Sequence, residues 1–512
     1  MLKNLSDVVF VKVYLDGDLP AGFARLRQST KEMLNEFRAY SDSKIEYEFI
    51  DPSASPDEKT RNEIYHQLSQ QGLQYSNISF NEGDKVSEKI IFPGAIISYL
   101  GKETPVQLLK SQLGAGSDEM LNNSMQQLEF EIANAIQNLS DPVSKKIGFI
   151  TGQGELNGPD VSDISKFLKE KYSVEEIVID GKLNSLDKFE AVIIAKPKSN
   201  FNEKDKFIID QFLMTGGKLF FLIDGTDVSM DSLQGSPTTM AIPLSVNLED
   251  MLFKYGARIN TNLIMDLRSL PIPVVTGYVG NQPKQELFPW FYFPLAIPES
   301  DHPVVKNLDA LKTQFSSSLD TIGKPGTKKT FLFSTSEYSR ISSAPTRVSL
   351  NILRNKPDEK LFRSGPKHIA LLIEGQFESL FTNRIPPQIE QDVKIGFKEK
   401  SVQTKLIVVS DGDIIRNEVN KSGDKILPLG YDKYTQREYG NRDFVLNCIN
   451  YLTDKSGLII ARTKEFKLRL LDRQRVEKER LFWQLLNTVC PVSLVLVFGL
   501  IKYFFRKRKF AI

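Results

Sequence analysis

The residues best placed to do chemistry form a glycine cluster, Thr151-Gly152-Gln153-Gly154-Glu155, with Gly158 beyond it, between a strand pattern and a helix pattern. Glycines in such a turn let a backbone approach a ligand closely, and the helix start that follows favours an anion. Two features count against a phosphate site. The spacing is G-x-G-x-x-x-G, one residue off the dinucleotide fingerprint, and Glu155 would repel a phosphate. A plain tight turn is therefore preferred. The alternative is a receptor that takes a small anionic or glycan ligand at Gly152, Gln153, Gly154 and Glu155, joined by Asp224. Asp411-Gly412-Asp413 follows the apolar run 406–409, and Asp224 follows KLFFLI. Such carboxylates can hold a hard cation, but an Asx turn capping the next segment is their more ordinary use. Replacing Glu155 and Asp224 together by alanine is expected to leave folding nearly intact, as at exposed loop positions.

The remaining reactive residue types exclude more than they suggest. Cys448 and Cys490 are the two cysteines, too few for a disulfide framework or a Cys-based zinc site. Cys448 falls on the apolar face of a helix pattern, not on the strand-to-helix elbow that an amidotransferase-type nucleophile needs. His66, His302 and His368 lie far apart in sequence, and His302 in Ser-Asp-His-Pro reads as a turn residue. There is no G-x-x-x-x-G-K-[ST], so no ATP hydrolysis by this chain alone is expected. Lys and Arg total 66 against 64 Asp and Glu, a net charge of +2, which argues against a nucleic-acid binder. No catalytic residues, metal or cofactor are expected.

These loops need elements to position them. Residues 1–115 read β-α-β-α-β-β, the order of a thioredoxin-like domain, but without C-x-x-C, which removes the redox role. A linker helix is predicted over 116–143, where Leu121, Met125, Leu128, Ile132, Ile136 and Leu139 form one stripe, the usual mark of core packing. Residues 144–455 alternate near-continuous apolar strands with helices, which indicates a doubly wound parallel sheet of flavodoxin- or glutamine-amidotransferase-like type, with insertions. Within it, 268–330 reads as irregular, rich in Pro and aromatics. The fold class is thus α/β throughout, followed by a C-terminal transmembrane helix.

From Leu481 to Ile501 there is no charged residue for 21 positions, enough helix to span a hydrocarbon core of roughly 30 Å. The expected span, 481–505, carries Trp483 and Tyr503 near its ends, Lys502 placed to snorkel, and Pro491 within it. Residues 506–512 are a basic tail containing Arg506, Lys507, Arg508 and Lys509, and 456–480 read as a charged stalk helix. A stalk continuous with the span would be a stiff connection to the membrane. The acid-free tail leans toward a cytoplasmic C-terminus and an external soluble region.

Seven stretches, taken in order, resemble one family. They are VKVYLDGDLPAGFARL (11–26), IGFITGQGELN (147–157), GGKLFFLIDG (216–225), HPVVKNLDAL (302–311), VVSDGDIIRNE (408–418), GNRDFVLNCINYLTDKSGLIIAR (440–462) and WQLLNTVCPVSLVLVFGL (483–500). Together they resemble the GldG family, the auxiliary component of gliding-motility ABC transporters. The likeness spans essentially the whole chain; the ordered set, not any single motif, is specific. It implies a non-catalytic protein in the inner membrane with its soluble region on the periplasmic side. It also implies a separate permease subunit, a separate ATPase subunit, and a role in gliding and its associated protein secretion. The family has no established catalytic residues to carry over. Its members have a transmembrane helix before the first strand, whereas this chain begins almost at that strand, so a truncated start is expected.

Overall fold

The computed structural model describes residues 1–82, 85–110, 116–140, 145–233, 235–280, 282–323, 326–354, 356–385, 396–420, 425–454, 457–463 and 473–510. It divides into two units, Met1–Lys464 and Glu465–Ile512.

The first unit begins with β1 (Val9–Val13), α1 (Ala21–Tyr40), β2 (Ile45–Phe49), α2 (Glu58–Gln70), β3 (Ser76–Glu82), β4 (Lys85–Ile91), β5 (Gly94–Tyr99), β6 (Lys102–Gln107) and α3 (Ser117–Ser140). The sheet order is β2-β1-β5-β6, with β1 parallel to β2 and antiparallel to β5. Burial alternates along β1, as period 2 requires for a strand with one covered face. On α1, Phe23, Leu26, Thr30, Leu34 and Phe37 recur at helical spacing and are buried. Asp57 starts α2 by accepting from the Thr60 amide, an ordinary N-cap. β3 and β4 form a separate hairpin. The helix expected as a linker is more than that: Leu121, Leu128, Ile132 and Ile136 share one core with Val9, Val11, Val13 and Ile97.

The larger part of the unit contains β7 (Lys146–Ile150), α4 (Ser162–Lys169), β8 (Ser173–Ile177), β9 (Ala191–Ala195), α5 (Glu203–Met214), β10 (Lys218–Leu222), α6 (Glu249–Tyr255), β11 (Ser269–Val279), β12 (Gln282–Pro298), β13 (Thr327–Ser334), β14 (His368–Gly375), β15 (Thr404–Val409) and α7 (Asn441–Thr453). One sheet runs β8-β7-β9-β10-β15-β14-β13-β12-β11. Its first five strands are parallel. Numbered by their place in the chain, they run 2-1-3-4-5. The last four strands extend the sheet antiparallel.

Both faces of the parallel part are covered, which is why its strands are apolar at nearly every position. Ala191, Ile193 and Ala195 pack with Ile164 and Leu168 of α4 and with Phe444, Val445, Cys448 and Leu452 of α7. Val192 and Ile194 pack on the other face with Ile208, Ile209 and Phe212 of α5 and Met251 and Leu252 of α6.

The stretch 268–330, expected to be irregular, instead supplies β11, β12 and the start of β13. Proline normally counts against a strand because it removes a ladder donor. Here Pro271, Pro273, Pro283 and Pro289 sit in a ribbon at the sheet's edge, where such donors are dispensable. Next to them Trp290, Phe291, Tyr292 and Phe293 are buried in a core of their own.

Leu458–Thr463 is a short 3-10 helix of the first unit with Ile459 buried, and Arg462 lies over the Phe130 ring of α3. The stalk expected over 456–480 is therefore not one helix throughout; residues 464–472 lie outside the described residues. The described residues of the second unit form one helix, α8 (Arg473–Phe510), with Pro491 in its interior. Phe482–Lys509 is long and apolar enough to cross a membrane. Trp483, Pro491, Lys502, Tyr503, Arg506, Lys507, Arg508 and Lys509 all lie on it.

Candidate functional site

In a parallel sheet the loops at the carboxyl ends of adjacent strands become neighbours, and that edge is where ligands bind in open α/β folds. β9, β10 and β15 lie side by side, and each is followed within two residues by a charged one: Lys196, Asp224 and Asp411. Lys196 turns off its strand at φ 54°, a left-handed backbone that costs a side-chain-bearing residue about 1–2 kcal/mol. Its ammonium lies 3.0 Å from Asp224 Oδ2 and also pairs with Asp413. Asp224 Oδ1 accepts from the Gly412 amide at 2.6 Å. Gly412 is required there, because a Cβ would lie 2.6 Å from the Lys196 Cβ.

Asp411 is fully buried and its carboxylate is filled. Oδ1 accepts from the Asp413 amide at 2.8 Å, and Oδ2 from the Gln314 amide and the Ser316 hydroxyl, each at 2.7 Å. The Asx turn expected for Asp411-Gly412-Asp413 is thus present. Arg416 closes the outer side, 3.6 Å from Asp413 and 3.3 Å from Asp160.

Burial pushes the Asp411 carboxyl up to about 8, and the neighbouring Asp413 and Asp224 add repulsion. Burial likewise raises Asp224, against the pull of Lys196. For Lys196 burial acts to lower the pKa, but Asp413 and Asp224 outweigh it and hold the ammonium above its ordinary range. The cluster is a buried cation shared by Asp224 and Asp413, with backbone amides and the Ser316 hydroxyl on the oxygens of Asp411 and the Gly412 amide on Asp224, while Asp413 Oδ1 is buried without a hydrogen-bond partner. The cavity beside it, lined by Lys312, Gln314, Asp413 and Arg416, encloses about 10 Å³, the lower limit for one water. Among the described residues, no group of three or more His, Cys, Asp or Glu side chains is placed to hold a metal ion.

The glycine loop follows β7, the strand next to β9 on the same carboxyl edge, where the chain's strand order reverses. Gly152 (φ 124°) and Gly154 (φ 79°) both occupy backbone that disfavours a side chain. Glu155 does not face solvent. It is only 4% exposed, and its Oε2 accepts from the Gln153 amide at 2.7 Å. Burial raises its pKa, opposed by the amides of residues 155, 153 and 152. The amides that a bound anion would use therefore surround the chain's own carboxylate. The Gln153 carbonyl in turn accepts from Lys198 and Ser199, tying the loop to the end of β9.

Asp224 does not join this loop; it pairs across the sheet edge with Lys196 and Gly412. The expectation that Glu155 and Asp224 are exposed loop residues is corrected by their burial. Lys196, Arg416 and Asp160 were absent from the sequence reading. A lysine directly after an all-apolar strand was the available signal. His302 sits in a turn, with burial lowering its pKa to about 4, and Cys448 is buried in α7.

The chain thus combines an α/β body, whose carboxyl edge holds a buried cluster of paired charges, with a helix long and apolar enough to cross a membrane. Residues 144–448 match the auxiliary family described as "ABC-type uncharacterized transport system", and the chain belongs to that family. It is accordingly an auxiliary component associated with an ABC transporter complex. Residues 1–98 match a domain of unknown function. No curated protein matches the chain. Among solved structures it is similar to the "mmIFT52 N-terminal domain", with 13% identity, 61% of this chain and 99% of that chain covered, and a TM-score of 0.35. It is also similar to "PurLQS from Thermotoga maritima", with 10% identity, 60% and 99% covered, and a TM-score of 0.24. Likenesses at those scores carry no argument about this chain.

Proposed function

We propose that this chain is a GldG-type, non-catalytic component of an ABC transporter, held in the inner membrane by α8 with its soluble unit on the periplasmic side. It works with a separate permease subunit and a separate ATPase subunit, in gliding motility and the protein secretion tied to it. The observation that carries the non-catalytic reading is the internal closure of both candidate sites. Glu155 fills its own glycine loop, and Lys196 is shared by Asp224 and Asp413. The Gln153 amide and the Lys196 ammonium, the donors an incoming anion would use, are thereby engaged within the fold. The strand order β2-β1-β5-β6 supports a thioredoxin-like first domain without redox chemistry, and the 2-1-3-4-5 order supports a flavodoxin-like second domain serving as scaffold. The eight helical residues of α8 that precede the span, 473–480, support a stiff connection to the bilayer.

The test is capture of the tagged full-length chain from membranes dissolved in mild detergent, with bound proteins identified by mass spectrometry. A permease subunit and an ATPase subunit should be recovered together. Recovery of neither, from membranes shown to contain both, refutes the proposal.

A further inference from the structure

The ribbon β11–β12 leaves the body of the large sheet as an arm. Its pairing runs from Pro271 opposite Pro289 out to Tyr278 opposite Pro283, with one register shift between Val275 and Gly277. Side chains alternate across a strand and directly opposed residues share a face. On β12, Pro283, Gln285 and Leu287 therefore lie on one face, and the residues opposite them, Tyr278, Val275 and Pro273, join it. The other face is polar: Glu286 lies opposite Val274, Lys284 opposite Gly277, and the two charges pair at 2.7 Å.

The apolar face is uncovered. Tyr278 is 74% exposed, Leu287 49% and Val275 48%. The root is firmly held, since Leu270, Ile272, Trp290 and Phe291 are buried together. An isolated two-stranded ribbon is marginal in water. An arm that also exposes a tyrosine, a leucine and a valine on one side has the character of a contact surface.

Three occupants are conceivable, and the arm's chemistry separates them. A lipid surface is normally met by apolar residues backed by basic ones. The arm's lysine is neutralised by Glu286, and residues 271–289 hold no other charge. A second copy adding its strand edge to edge would need free ladder donors, but Pro271 and Pro273 interrupt one edge and Pro283 and Pro289 the other. Strand addition is therefore disfavoured, the uncharged face suits burial against a neutral apolar patch, and the family's association with an ABC transporter complex points to a transporter subunit as its owner. The arm lies inside residues 144–448, the part of the chain that carries the transporter-family match.

We propose that the Tyr278–Leu287–Val275 face of this arm docks onto a neutral apolar patch on the permease subunit, outside the bilayer. This rests on the function proposed above. Tyr278, near the tip, is the anchor, its ring entering the patch and its hydroxyl meeting an acceptor at the rim.

The test compares three forms of the tagged full-length chain. They are the natural sequence, an apolar-face variant (Val275→Ser, Tyr278→Ser, Leu287→Ser) and a polar-face control (Lys284→Ser, Glu286→Ser). All five positions lie on the projecting arm, so thermal unfolding and the membrane-bound fraction should be unchanged, and both are measured. Permease recovered per bait should be equal for the natural chain and the control. For the apolar-face variant it should fall about tenfold or more, the usual consequence of removing an aromatic anchor. Equal recovery in all three forms overturns the docking face and leaves the proposed function standing. No transporter subunit recovered by the natural chain overturns that function and this proposal with it. Two further measurements assign the face elsewhere and overturn the proposal. One is a change from dimer to monomer in light scattering confined to the apolar-face variant, with permease recovery unchanged. The other is loss, again only in that variant, of binding to phosphatidylethanolamine–phosphatidylglycerol vesicles.

Discussion

Replacing Lys196 by methionine tests the reading of the carboxyl-edge cluster as a structural clamp. The substitution keeps an unbranched stem and removes the charge. It leaves Asp224 and Asp413 without the cation they share, beside an Asp411 that is fully buried. Removing one partner of a buried ion pair costs about 3–5 kcal/mol, because the other charge stays desolvated. For a cooperative region of 150–250 residues, 1 kcal/mol moves the melting temperature by about 2–4 °C, so the midpoint should fall by roughly 6–20 °C.

The defect should also depend on pH, and its sign is determined. Asp411 titrates near 8 in the folded chain against an ordinary carboxyl value of 3.8. A carboxyl raised in this way favours the folded state fully below its unfolded pKa, and the contribution is lost as pH rises through the folded pKa. Asp224 is raised as well, even with Lys196 present. Removing Lys196 takes away the pull that opposes burial at Asp224 and raises that carboxyl further, so the variant loses stability more steeply than the natural chain as pH rises from 5 to 8. Each additional proton released contributes a slope of up to about 1.4 kcal/mol per pH unit. Melting of the detergent-solubilised full chain at pH 5, 6.5 and 8 gives the gap. Hydrogen exchange of peptides from 191–200, 218–225 and 404–416 locates it. Adding Asp224→Asn and Asp413→Asn to Lys196→Met should recover much of the loss. A Lys196→Met protein that melts with the natural chain at all three pH values, or a gap that does not widen with pH, refutes the clamp.

Two other outcomes are expected. Glu155→Gln keeps the acceptor that meets the Gln153 amide and removes a buried charge. Denaturant unfolding at pH 7 should therefore change by no more than about 1 kcal/mol, whereas a loop built around an ionised carboxylate would lose far more. Deleting 473–512 removes the whole of α8. The remaining chain should leave the membrane pellet for the supernatant at high salt, and its persistence in the pellet would show that α8 is not the only anchor of this chain.

The sequence carried much of this architecture because a parallel sheet covered on both faces is written as local composition. The runs at β7, β9, β10 and β15 are apolar at nearly every position, and each stands next to a helix pattern or a turn. The α3 stripe announced a buried face in the same way. The antiparallel extension was hidden for a physical reason: its prolines are the residues that ordinarily argue against a strand, and only the edge position of the ribbon makes them tolerable. The cluster at the carboxyl edge was hidden by distance along the chain. Lys196 and Asp413 are 217 residues apart and Asp224 and Gly412 are 188 apart, so nothing local links them. Only the order in which β9, β10 and β15 lie side by side makes them neighbours. The glycine loop was legible as a turn, but the direction in which Glu155 points was not.

That direction changes how the domain is to be understood. The carboxyl edge of an open α/β sheet is favourable for ligands because amides and charges there are left without partners inside the fold. In this chain the same edge is closed from within. Glu155 accepts from the Gln153 amide of its own loop, the Gly412 amide is given to Asp224, and Lys196 is divided between two aspartates. Each of these contacts joins loops that follow different strands or draws a loop back on itself. Together they stiffen the edge where a catalytic relative would need room to move. Among the described residues, apolar surface is exposed elsewhere: on one face of the β11–β12 arm and on α8. Both are surfaces without chemistry of their own, suited to contact with a protein or a bilayer. Contacts of this kind within the edge, together with the exposed apolar surface of the arm and of α8, support the proposed role of a component that holds other molecules in place.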